Sequence, residues 1–142
     1  MTANAGRPKF FIDENLPADY AELLRRPFKS ALYKSYLEES LRGTQDVTLF
    51  PELRQRGFTA ILTQDRRQLF YEEERDGLRA AGLHWVGLVE VKGRGMRFHS
   101  QALGMLAAAL PDLIAQHDME PHAFYITPDH TKPLLPLQVE RI

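Results

Sequence analysis

The chain has 142 residues, 44% of them hydrophobic and 26% charged, which suits one soluble domain with a sizeable core. Its 18 basic and 19 acidic side chains leave a net charge of −1, so no global basic field announces a nucleic-acid partner, although a local patch is enough to hold phosphates. Cysteine is absent, which excludes disulfides, thiolate metal sites and cysteine nucleophiles.

The leading residues lack an apolar h-region and no long apolar segment follows. The expectation is a cytoplasmic protein with a flexible N-terminus over residues 1–8 and a single domain over 9–142. The stretch from Lys9 to Pro17 then organises the reading. Phe10-Phe11-Ile12 is too short for a helix and too apolar for a loop, so it reads as a buried strand. Asn15 or Leu16 is placed to cap the next helix, with Pro17 in its first turn, where a missing N–H costs nothing. Asp13 and Glu14 therefore fall at the carboxyl end of a strand, the edge where open α/β sheets bind ligands.

The first helix is expected over Pro17 to Arg26, with Leu16, Tyr20, Leu23 and Leu24 on one stripe and Pro27 as its stop. The segment from Phe28 to Leu37 fits either a helical face or a strand; its aromatic content and the length of a β-α-β unit favour a strand. Glu38 to Gln45 is a polar connection. Thr44 or Asp46 can cap a helix to about Arg56, with Val47, Phe50 and Leu53 inward, Pro51 delaying or kinking it, and Gly57 ending it.

Phe58 to Thr63 reads as a buried strand ending in Gln64-Asp65, the same arrangement as the opening stretch. A charged helix from about Gln68 to Ala81 is closed by Gly82, and His84 to Val89 is another buried strand. Val91 to Met96 is a glycine-rich basic loop. The helix from about Ser100 to His117 buries Leu103, Leu106, Ala107, Leu110, Leu113 and Ile114, with Pro111 kinking or splitting it. His122 to Thr127 is a further strand, and Leu137-Gln138-Val139 suits a short edge strand after a proline-rich stretch. Alternating strands and helices predict a three-layer α/β/α sandwich around a mainly parallel sheet of about five strands, with right-handed crossovers.

In such a sheet Asp13 and Asp65 end two strands, and Asp46 opens a helix that leans over the same edge. Three converging carboxylates, with neither cysteine nor paired histidines, describe an all-oxygen site for Mg²⁺ or Mn²⁺. Asp13 resists a plainer reading, since a strand-end Asp-Glu-Asn beside a buried run is costly unless used, but the other two acids each have one. Asp46 suits an ordinary helix cap, and Asp65 before Arg66-Arg67 suits a surface ion pair. Spacing alone leaves both open. His84, His99, His117, His122 and His130 show no ligand spacing, and no nucleophile-elbow sequence supports Ser-His-Asp catalysis.

Three segments resemble compact PIN-like domains. Phe11-Ile12-Asp13-Glu14-Asn15-Leu16-Pro17 is similar to their Asp-Glu-Asn-Leu-Pro opening. Gly43-Thr44-Gln45-Asp46 resembles their Gly-Thr-x-Asp segment, and Ile61 to Arg67 their Ile-x-Thr-x-Asp-Arg strand end. Glu73 to Gly82 and Phe124 to Pro128 extend the likeness toward the toxin-like branch, so the domain over 9–142 reads as PIN-like.

The resemblance implies a Mg²⁺- or Mn²⁺-dependent ribonuclease similar to the toxins of VapC-type toxin–antitoxin pairs. Asp13, Asp46 and Asp65 would be metal ligands and catalytic acids, supported by Glu14, Asn15 and Thr63. Arg66, Arg67, Lys92, Arg94 and Arg97 are the candidate contacts to RNA phosphates. Ordinary PIN domains add a fourth acid, for which Glu72, Glu73, Glu74, Asp76 and Asp129 compete; Val47 stands where relatives often have another acid. An antitoxin or a second copy of the chain would use an exposed apolar face, with Tyr33 to Leu37 and the tail as candidates.

Two other readings compete. One is a PIN-like module that binds RNA or protein without cutting. The other is a phosphoacceptor receiver domain, faintly suggested by Thr131-Lys132-Pro133.

Overall fold

The computed structural model describes residues 6–128 and 137–142. Six strands form one sheet: β1 (Lys9–Ile12), β2 (Leu32–Ser35), β3 (Ala60–Thr63), β4 (His84–Leu88), β5 (His122–Ile126) and β6 (Gln138–Arg141). Their order is β2-β1-β3-β4-β5-β6; the first five run parallel and β6 pairs antiparallel with β5. The expected strand near residue 138 is thus the sixth, on the outer edge, where solvent serves its free backbone groups.

Among the described residues five helices cover the sheet: α1 (Asp19–Arg25), α2 (Asp46–Gln55), α3 (Arg67–Phe70), α4 (Glu72–Ala81) and α5 (Met96–Ala115). Side-chain alternation along the strands assigns the faces. Phe10, Ile12, Leu62, Val86 and Phe124 join the layer packed by Tyr20 and Leu24 of α1 and Leu106 and Leu110 of α5. Phe11, Ile61 and Trp85 join the opposite layer, packed by Phe50 and Leu53 of α2, Leu69 of α3 and Leu78 of α4. The result is the expected three-layer α/β/α sandwich.

Several local expectations give way to tertiary packing. The charged helix expected over residues 68–81 is two helices, broken at Tyr71, whose backbone is extended (φ −83°, ψ 126°). The reason is phase. Leu69 and Leu78 both bury against the same face of the sheet, yet nine residues apart on one helix they would point about 180° from each other. A break lets both reach the core.

The two interior prolines do not split their helices: α2 runs through Pro51 and α5 through Pro111. Each removes one backbone bond, and Pro111 frees the carbonyl of Ala107, an exposed residue that solvent reaches. Ala107 therefore faces out rather than in, and Ala102, Met105 and Ala109 fill the buried side of α5. Leu23 (54% exposed) and Val47 (79%) also face solvent, contrary to the expected stripes.

Neither Asn15, Leu16, Thr44 nor Asp46 caps a helix. The caps are Ala18 for α1 and Gln45 for α2, with no side-chain cap bond. Gly57 (φ 82°) and Gly82 (φ 67°) end their helices in the left-handed conformation that favours glycine. At the N-terminus, Pro8 is buried and its carbonyl accepts from Leu32 N at 2.8 Å. The rest of the leader, the candidate acid Asp129 and Thr131-Lys132-Pro133 fall wholly or largely outside the described residues.

Candidate functional site

The strand order reverses around β1, which has β2 on one side and β3 on the other, and such a switch point opens a crevice at the carboxyl ends of the strands. Asp13 follows β1 at this edge. By alternation it shares a face with Phe11, the side covered by α2 to α4, and Thr63 at the end of β3 shares it with Ile61. Asp13 is 7% exposed and Thr63 fully buried. The Thr63 hydroxyl donates to Asp13 Oδ2 at 2.8 Å and accepts from Asn15 Nδ2 (2.8 Å) and Asp65 N (2.9 Å). Asn15 Oδ1 in turn accepts from Gln64 N at 2.8 Å. Asn15 thus ties the ends of β1 and β3 together.

Asp46, the first residue of α2, reaches the same place. Gln68 of α3 bridges the two acids: its Nε2 donates to Asp13 Oδ2 at 3.3 Å and to Asp46 Oδ1 at 3.2 Å. Gln68 is 1% exposed, and its Oε1 is buried with no hydrogen-bond partner among the described residues. Asp65 is arranged differently. Its Oδ1 accepts from Arg67 N and Nε, both at 3.0 Å, so it turns the chain into α3 and forms an exposed ion pair with Arg67. Glu14 accepts from Gly43 N at 2.8 Å, holding the loop before α2 against the end of β1.

Glu74, in the first turn of α4, completes the acidic side. Its Oε2 is buried without a partner among the described residues. Of the four candidates for a fourth acid among the described residues, Glu74 is the one whose charge is among those that raise Asp46. Burial, followed by the charges of Asp13, Glu74 and Asp65, pushes the Asp46 carboxyl up to about 6. Burial also raises Asp13, against the lowering effect of its bonds from Thr63, Glu14 N and Gln68. Glu74 is raised by burial and by Asp65.

A cleft of about 1350 Å³ opens beside these groups, lined by Glu14, Asp46, Asp65, Arg67, Tyr71 and Glu74 among others; Asp13, Thr63 and Gln68 are not part of its lining. Arg66 stacks over Phe70, and Arg67 spends its guanidinium on Asp65. Lys92 and Arg94 are exposed on the loop after β4, and Arg97 is already the second residue of α5. The three follow the carboxyl end of β4 but do not line the cleft. Tyr33 is buried and stacked on Phe10, so of the Tyr33 to Leu37 segment Leu37 is the large apolar side chain left exposed. His84 is a buried, hydrogen-bonded strand residue whose pKa burial lowers.

Among the described residues, no three His, Asp or Glu side chains stand close enough together to hold an ion as they are. The chemistry of the donor set nevertheless suits a hard divalent cation. Its donors are all carboxylate oxygens, they repel one another, and one oxygen of Glu74 is orphaned. What separates Asp13 from Asp46 is the amide of Gln68, a residue sequence reasoning overlooked. The out-of-phase Leu69 and Leu78 were the available signal, because they demand the break that turns Gln68 inward.

No curated protein and no solved structure matches the chain. A family model described as a PIN like domain matches residues 8–90, which takes in Asp13, Asp46, Asp65, Gln68 and Glu74. That match covers more than half of the 142 residues, and the chain belongs to the PIN-like domain family.

Proposed function

We propose that the protein is a Mg²⁺- or Mn²⁺-dependent endoribonuclease, and that it acts as the toxin of a toxin–antitoxin pair of the VapC type. The observation that carries the catalytic reading is the convergence of Asp13 and Asp46, from different elements, on one amide nitrogen at the carboxyl edge of a parallel sheet. Asp13 and Asp46 would hold the cation, with Glu74 as the fourth acid and Asp65 at the rim. When bound, the cation supplies charge neutralisation at a phosphodiester and an activated water. The chain's own residues do the rest. Thr63 and Asn15 fix the Asp13 carboxylate, and Glu14 holds the loop carrying Thr44 and Gln45 beside the cleft. Arg66, Lys92, Arg94 and Arg97 would supply contacts to the RNA backbone. The toxin role and a protein antitoxin rest on the resemblance of the opening motif. The test is cleavage of RNA in Mn²⁺ by wild type, with loss of at least about 10²-fold in rate for Asp13→Asn; RNA left intact by wild type under those conditions refutes the nuclease.

A second reading is favoured by one observation. Asp65 is engaged by Arg67 and by the turn into α3 rather than by Asp13. A module that binds RNA or protein without cutting would keep that pair, and RNA binding without cleavage would select this reading.

A further inference from the structure

We propose that Gln68 belongs to the cation site itself, as a neutral oxygen donor whose amide faces the acids by its nitrogen without a cation and by its oxygen with one. The proposal rests on the cation-dependent reading above. Gln68 lies in α3 and is 1% exposed. Its Nε2 spans Asp13 Oδ2 at 3.3 Å and Asp46 Oδ1 at 3.2 Å, both long for such bonds. The carbonyl of the same amide is buried and unpartnered among the described residues.

The buried carbonyl bears a desolvation penalty in this arrangement, and a turned amide would bear a comparable one on its nitrogen, so the group that faces the acids decides between the two. Turning the amide about its last side-chain bond exchanges the two ends and moves nothing else. With the carboxylates alone, the turned oxygen would face two like charges. With a hard cation between them it becomes a ligand of the kind such ions take from glutamine. Occupancy therefore decides which end faces the acids. Leu69, packed in the core beside it, anchors α3. The amide is buried against both acids, its nitrogen toward them and its unpartnered oxygen at the other end.

The test is calorimetric titration of the full chain with MnCl₂, comparing wild type, Gln68→Met, Gln68→Glu and Asp13→Asn. Gln68→Met keeps the volume and removes the oxygen, and is expected to weaken Mn²⁺ binding by at least about tenfold. Gln68→Glu keeps an oxygen there and is expected to bind Mn²⁺ at least as tightly as wild type. It should also melt lower than wild type in EDTA and recover in Mn²⁺. A packing role alone predicts unchanged Mn²⁺ affinity in Gln68→Met, which would overturn the proposal. If Gln68→Met does not fold, Gln68→Glu decides, and weaker binding than wild type overturns it. Wild type that binds no Mn²⁺, or Asp13→Asn that binds it equally well, overturns the cation reading and this proposal together. Tight wild-type binding that Gln68→Met leaves unchanged overturns the role of Gln68 alone.

Discussion

Asp46→Asn tests the electrostatics of the cleft directly. The rise of the Asp46 carboxyl from 3.8 to about 6 corresponds to roughly 3 kcal/mol against its charged form. Asp46 is partly exposed, and screening reduces this to about 1–2 kcal/mol. Asparagine keeps an acceptor for Gln68 Nε2 and removes the charge facing Asp13, Glu74 and Asp65. In EDTA at pH 7.5 the variant should therefore melt above wild type by about 3–6 °C. Because the folded-state value lies above the ordinary one, Asp46 destabilises the fold fully above about pH 6, and the penalty fades as pH falls toward 3.8. For a penalty of that size the advantage of Asp46→Asn should accordingly shrink to about half to two-thirds by pH 4.5. Saturating Mn²⁺ should reverse the order, since the cation stabilises the form that binds it. Thermal melts across pH, with and without Mn²⁺, measure all of this. A variant less stable than wild type in EDTA at pH 7.5, or a gain that grows on acidification, would refute the reasoning.

Other substitutions probe the supports of the site. Thr63→Val removes a hydroxyl that donates to Asp13 and accepts from Asn15 and Asp65 N; urea denaturation should show a loss of about 2–3 kcal/mol, largely restored in Thr63→Ser. Gly87→Ala would set a Cβ 1.9 Å from the ring of Trp85. It should destabilise by about 3 kcal/mol and red-shift the emission of the chain's one tryptophan. Replacing Lys92, Arg94 and Arg97 together by alanine, in an Asp13→Asn background that does not cut, should weaken RNA binding. The salt dependence measured by fluorescence anisotropy should flatten by about 2 in log–log slope; an unchanged slope would remove these residues from the RNA surface.

The two corrections that matter most for the site share one cause. The helical period puts Val47 inward, yet it lies on the rim of the cleft at 79% exposed. Gln68 reads as one polar residue in a charged helix, yet it is buried between the two central acids. Period describes a helix on its own; which side becomes the floor of a cleft depends on how neighbouring helices meet. Asp65 shows the same limit, because Arg67, two residues on, competes for a carboxylate that strand position alone would have aimed at the cleft.

By itself the amino-acid sequence determined the layered α/β architecture, the strand ends carrying Asp13 and Thr63, and the glycine stops after α2 and α4. These follow from short-range rules: apolar runs that must be buried, strand alternation, and backbone conformations that favour glycine. The tertiary structure alone decided that Glu74 joins Asp13 and Asp65 in raising Asp46, that Asp65 turns toward Arg67, and that Gln68 joins Asp13 to Asp46. Those outcomes depend on the meeting of α2, α3 and α4 over one edge of the sheet, where burial and mutual repulsion set each side chain's partner.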